Sequence, residues 1–293
     1  MSALQTWADY VTLHEEIKAM REMEITFLGT GTSHGIPVIG CECRVCLSSD
    51  SRDKRLRTGI HVRTPEISLI VDTTPDFRAQ CLRERIDRVD AVLYTHSHVD
   101  HVLGFDDLRR FCELENKSIP IYGSARTLGD LARVFQYAFD GSARYPNYVR
   151  PDPIVLNGPF QLGGLDIIPV ELPHASMVTN GFVFEKNGRR MLAYFTDCQA
   201  VPPDAVSAAM DVEVLVIDAL RHHSHQSHLT IGAAIEVARR IRARRTYFIH
   251  MCHELGHEET EADLPYVVEA LDAERRLLGV EEAGQEQRGE DRD

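Results

Sequence analysis

Val92-Leu93-Tyr94-Thr95-His96-Ser97-His98-Val99-Asp100-His101 decides how this chain is read. An apolar run ends, and the order H-x-H-x-D-H follows at once. Imidazole and carboxylate together suit Zn, Mn, Fe or Ni. Ala91 to Tyr94 reads as a buried strand, and Leu103, Phe105, Leu108 and Phe111 recur at helical spacing behind it. The donors therefore sit on a strand-to-helix connection, where side chains converge above a sheet edge. His96 and His98, two apart, can share one ion; Asp100 and His101, adjacent, can turn toward a second. A metal-free surface loop would explain a lone pair of histidines, but four donors in so short a loop argue for ligation.

Further along, the same position recurs. His174, Asp197 and His250 each follow an apolar strand at once or within a few residues. Groups at strand ends on one side of a sheet sandwich can meet. At H-x-H-x-D-H, and over about residues 23 to 255, the chain resembles the metallo-β-lactamase-fold hydrolase superfamily. That resemblance implies an α/β, four-layer αββα sandwich. Carried over residue by residue, it implies one metal on His96, His98 and His174 and a second on Asp100, His101 and His250. Asp197 would bridge them. Two divalent ions, Zn or Mn, would activate a bridging water and polarise the scissile bond. Asp100 thus counts as both ligand and catalytic group.

Before that core lies Cys41-Glu42-Cys43-Arg44-Val45-Cys46, with C-x-C-x-x-C spacing. Three thiolates this close suit a structural Zn, whose fourth ligand must come from elsewhere; His253 is the candidate. Gly29-Thr30-Gly31, Gly35-Ile36-Pro37 and the cysteine loop resemble the opening of the phosphoribosyl 1,2-cyclic phosphodiesterase (PhnP-like) family. That family implies three cysteines and a histidine on one structural Zn, and a histidine at the position of His228 that assists phosphodiester cleavage. The coenzyme-biosynthesis protein PqqB has a similar cysteine loop. The segment Arg221 to Ser227 and both terminal extensions depart from the phosphodiesterase pattern, which leaves the substrate open.

His228 lies just before a helix capped by Thr230, where a helix N-terminus favours anions. It is the best-placed general acid. His222, His223 and His225 read as a solvated loop or as additions to the site. His34 reads as a plain loop residue or as one facing the pocket. Asp72 reads as a carboxylate orienting a ligand histidine, as a helix cap, or as both. Residues 140–151 read as a loop covering the site or as a plain connection. Arg44, Arg52, Lys54, Arg55 and Arg57 form a local basic cluster, either solvated or attractive to an anion.

Composition bounds the rest. The chain has 293 residues, 43% of them hydrophobic, and a net charge of −13 from 32 basic and 45 acidic residues. No basic stripe appears, so a large nucleic acid is a poor partner and a small anionic phosphodiester a better one. No apolar run approaches the ~20 residues that span a membrane. Asp9, Glu15 and Glu16 interrupt any secretory core. With that, seven cysteines point to a reducing compartment, the cytoplasm. Residues 1–22 read as a leading helix, for packing or for a homodimer, with Met20 and Met23 as alternative starts. Residues 23–280 read as one hydrolase domain, and 281–293 as an acidic disordered tail.

The expected activity is metal-dependent hydrolysis of a small phosphodiester, a cyclic ribose phosphate or nucleotide. Hydrolysis of another ester (thioester, lactone, β-lactam) on the same fold is the first alternative. A non-catalytic PqqB-like metal or carrier protein is the second.

Overall fold

Strands with both faces covered should be apolar throughout, and the central runs 69–71, 91–93 and 214–217 are built that way. A computed structural model of the protein describes residues 23–141, 148–264, 268–270 and 276–277. The expected leading helix, the acidic tail and the middle of the 140–151 loop lie outside the described residues.

The first sheet takes β1 (Glu24–Gly29), β2 (Gly59–Arg63), β3 (Ser68–Val71), β4 (Ala91–Leu93), β5 (Ile119–Gly123) and β6 (Pro151–Val155) in chain order. The second runs from β7 (Phe160–Leu162) through β8 (Leu165–His174), β9 (Met177–Lys186), β10 (Arg189–Phe195), β11 (Val214–Asp218) and β12 (Arg245–Ile249) to β13 (Val268–Ala270). β14 (Arg276–Leu277) returns to the first sheet and pairs with β1, giving seven strands in each. Each sheet begins with antiparallel pairs and ends with parallel ones.

Alternation along the strands separates the layers. Leu69, Val71, Ala91 and Leu93 face Phe182, Phe184, Val214 and Val216 between the sheets. Their neighbours Ile70 and Val92 turn outward, under Phe77, Leu108 and Leu131. Leu215 and Ile217 turn outward under Ala234, Val237 and Ile241 of the Ile231–Ile241 helix. The result is the αββα sandwich expected from the sequence. A hairpin turns at Asn187-Gly188, both residues taking positive φ (54° and 74°).

Two local readings need correction. The helix expected after His101 is broken into Val99–Val102, a tight turn at Phe105–Leu108, and Arg109–Leu114. Gly104 is the reason: its N–H donates to the Thr73 carbonyl at 2.9 Å, and a Cβ there would stand 2.1 Å from the Thr74 oxygen. Asp72 does not cap a helix, because Phe77–Arg83 starts after Asp76. Further on, two short helices, Ala125–Val134 and Gln136–Phe139, meet at Phe135.

The carboxyl ends of β3, β4, β10, β11 and β12 open on one edge of the sandwich, where ligands of parallel sheets bind. Asp72, Asp197 and His250, at or just beyond those ends, take positive φ (66°, 52° and 59°). A non-glycine residue held there costs about 1 kcal/mol or more, tolerated where surrounding structure fixes it. No helix among the described residues is long and apolar enough to cross a membrane.

Candidate metal centre

At that edge the structure gathers two donor groups that share Asp197. His96, His98, His174 and Asp197 form one; Asp100, His101, Asp197 and His250 form the other, with the donor atoms of each within 4.8 Å of one another. Asp197 Oδ2 lies 3.8 Å from His96 Nε2, 3.9 Å from His174 Nε2 and 3.4 Å from His250 Nε2. Its Oδ1 lies 3.3 Å from His101 Nε2. Asp100 Oδ2 lies 3.3 Å from His101 Nε2 and 3.7 Å from His250 Nε2.

The residues fit metal ions on three grounds. First, an ion with tetrahedral ligands at about 2.0–2.1 Å sets those donors roughly 3.3–3.4 Å apart, close to the separations seen. Second, Nε2 of His96, His101 and His250 is buried without a hydrogen-bond partner, which is costly unless something satisfies it. Third, the ring orientations leave Nε2 free to ligate. His101 Nδ1 donates to Asp72 Oδ2 at 2.7 Å, and His174 Nδ1 donates to the Ser227 carbonyl at 2.9 Å. The Thr95 hydroxyl donates to Asp72 at 2.8 Å, so at 3.0 Å it accepts from His96 Nδ1. Each of these rings then turns a bare Nε2 inward.

Electrostatics point the same way. Burial lowers the pKa of His101 and His250, yet Asp197 and Asp100 outweigh it and hold both above the ordinary value. Burial pulls His96 and His174 down. The edge therefore concentrates buried negative charge that favours a cation. His98 is exposed, so the centre opens to solvent on its side.

A second cluster joins the two ends of the described chain. Cys41 Sγ, Cys43 Sγ and Cys46 Sγ lie 3.3, 3.4 and 3.8 Å from His253 Nδ1. Sulfur at about 2.3 Å and nitrogen at about 2.0–2.1 Å around one Zn would stand roughly 3.5–3.6 Å apart. Asp53 ties the two arms, accepting from buried Arg55 at 3.2 Å and from the His257 N–H at 2.8 Å. The surrounding basic cluster is matched by acids rather than left open: Arg44 pairs with Glu259, Arg52 with Asp50, and Arg57 with Asp76.

Beside the donor groups stands His228. Its Nδ1 lies 2.7 Å from Asp218 Oδ2, and its ring stacks on His250 with centroids 4.5 Å apart. Asp218 was given no role from the sequence. It ends β11 in the way Asp197 follows β10, and that repetition was the signal available. Thr95 and Ser227 were missed altogether. His34, His222 and His223 are exposed and join neither donor group.

The sequence pattern of the β-lactamase superfamily domain matches residues 68–251. The chain belongs to the β-lactamase superfamily. Within this superfamily of metallo-hydrolases it is similar to a crystal structure of a diphosphatase from the PhnP family. The two are 36% identical with a TM-score of 0.80, over 87% of this chain and 96% of that one, which places the chain in the PhnP family. The octanoyltransferase of Porphyromonas gingivalis is 34% identical over 267 residues, covering 87% of this chain and 52% of that protein. The chain thus spans about half the length of that relative. Zn(2+)-bound PqqB from Methylobacterium extorquens shares the fold, at a TM-score of 0.69 and 23% identity over 87% of this chain and 99% of that one. Both donor groups are drawn from this chain's own residues.

Proposed function

We propose that the protein hydrolyses a P–O bond in a small phosphoric ester, a phosphodiester or a diphosphate, with two divalent ions at the shared Asp197. His96, His98 and His174 would hold one, and Asp100, His101 and His250 the other. Zn or Mn at these ligands would supply Lewis acidity and water activated near neutral pH. Cys41, Cys43, Cys46 and His253 would hold a structural Zn.

One observation carries the reading: the Asp218–His228 pair stands against the donor groups yet belongs to neither of the two that share Asp197. Burial and the Cys198 N–H at 3.0 Å fix Asp218, which in turn fixes His228. Asp218 accepts the hydrogen bond from Nδ1–H, so the imidazolium form of His228 presents Nε2–H as the proton for a departing oxygen. Phosphoric esters need such a group, because an alkoxide leaves poorly without a proton. The diphosphatase relative supports the class, and a net charge of −13 without a basic stripe favours a small substrate over a nucleic acid.

The test is turnover by Zn- and Mn-reconstituted protein of bis(p-nitrophenyl) phosphate, a cyclic ribose phosphate, a dinucleoside diphosphate, an octanoyl thioester and a β-lactam. Metal-dependent cleavage of any of the three phosphoric esters supports the proposal. Cleavage of the thioester alone would replace it with acyl chemistry, as the octanoyltransferase relative allows. Silence on the whole panel with metal bound would favour a carrier role like that suggested by PqqB.

A further inference from the structure

Resting on the phosphoric-ester reading, we propose that His225 is a substrate-positioning residue that binds a second phosphoryl group, so that the preferred substrate is a diphosphate. The loop Arg221–His228 is folded, not loose. Arg221 donates to the carbonyls of His223 and Ser224 at 3.3 and 3.2 Å and reaches Glu254 at 3.5 Å. Ser227 is its hub. The Ser227 carbonyl accepts from His174 Nδ1, while its N–H and its hydroxyl lie 3.3 and 3.1 Å from His225 Nδ1.

A backbone N–H can only donate. His225 Nδ1 is therefore an acceptor, and the proton of this neutral imidazole resides on Nε2. His225 thus carries one unspent N–H on a ring whose orientation is fixed. That ring lies 5.2 Å from His228, itself stacked at 4.5 Å on His250. Three imidazoles run outward from the donor groups, the outermost partly exposed and in none of the donor sets. The ion that His250 would hold faces the scissile group, His228 its leaving oxygen, and His225 the next phosphoryl along the substrate. A substrate with one phosphoryl group has nothing to offer that third ring.

The experiment compares diadenosine 5′,5′-diphosphate with bis(p-nitrophenyl) phosphate on wild type, His225→Ala, His225→Gln and Ser227→Ala, all metal-loaded. His225→Ala should lower the kcat/KM ratio of diphosphate to monophosphate diester about tenfold, the range of one hydrogen bond to a charged group, and through KM. His225→Gln, which keeps an N–H, should restore part of the ratio. Ser227→Ala should lower it by less, because the ring loses one of its two anchors. Equal losses on both substrates in His225→Ala would show a structural role and overturn the proposal. So would wild type that cleaves the monophosphate diester but not the diphosphate. Wild type inert on both would instead remove the phosphoric-ester reading on which the proposal stands.

Discussion

The two donor clusters are built on different principles. Around Asp197 three of the buried imidazoles are aimed by a protein group: His101 by Asp72, His96 by Thr95, His174 by the Ser227 carbonyl. Around His253 the nearest partners of the donor atoms are largely one another, with Sγ of Cys41, Cys43 and Cys46 on one ring nitrogen. The first site is buried at the ends of strands and would keep its shape without an ion. The second sits on partly exposed segments, drawn from residues 41–46 and from residue 253, and besides the donors its arms are joined by the Asp53–Arg55–His257 contacts and the Arg44–Glu259 ion pair. Removing metal should therefore stop chemistry at the first site and loosen structure at the second.

The largest effect that would break this contrast concerns His98, the exposed member of the first donor group. His98→Ala should lose catalytic metal and reduce turnover by more than the roughly 100-fold seen when outer partners of a ligand are removed. Elemental analysis should still find one tightly held Zn on the cysteines. A variant that keeps every ion would refute the assignment of the first site.

Cys43→Ala is the counterpart. Structural zinc contributes folding energy directly, so several kcal/mol of stability should go, with a clear drop in Tm. An unchanged Tm at unchanged Zn content would mean that the cysteines are ordinary thiols. Asp72→Asn should fall between the two. It removes the charged acceptor of His101 while leaving every ligand in place, and should weaken metal affinity about 10- to 100-fold. Titration with a chelator would measure it, and no change would show that the ring needs no aiming.

How much of this was legible before the structure depends on where each donor stands in the chain. His96, His98, Asp100 and His101 are adjacent in sequence, and the spacing of the cysteines is equally local. His174, Asp197 and His250 were legible because each repeats one position, the end of an apolar strand. Asp218 occupies that position too, but its role depends on which residue lies opposite it in space. The hydroxyl of Thr95 and the carbonyl of Ser227 carry no sequence signal, since any residue supplies a carbonyl and threonine is common. The left-handed turns at Asp72, Asp197 and His250 were equally silent, as none is glycine. The broken helix after His101 was set by Gly104 docking on the Thr73–Thr74 backbone, a contact between segments about thirty residues apart.

The smallest effect sharpens the contrast from outside both sites. Asp90 is a partly buried carboxylate satisfied by protein alone: it accepts from the Ser68 N–H at 2.9 Å, from Lys117 at 2.8 Å and from Arg88 at 3.0 Å. Burial raises its pKa, but Lys117, Ser68 and Arg88 outweigh burial and hold it below the ordinary value. A carboxyl depressed in the folded state stabilises the fold above its unfolded pKa of about 3.9 and loses that contribution as pH falls through the folded value. Asp90→Asn should therefore cost about 1–2 kcal/mol at pH 7 in urea unfolding, and the gap to wild type should close as pH drops below about 4. Metal content and turnover should stay at wild-type levels, because no donor touches this carboxylate. If Asp90→Asn also shed metal, carboxylates remote from the edge would share in holding the ions. The aiming of the first site would then belong to the whole sheet and not to Asp72, Thr95 and Ser227.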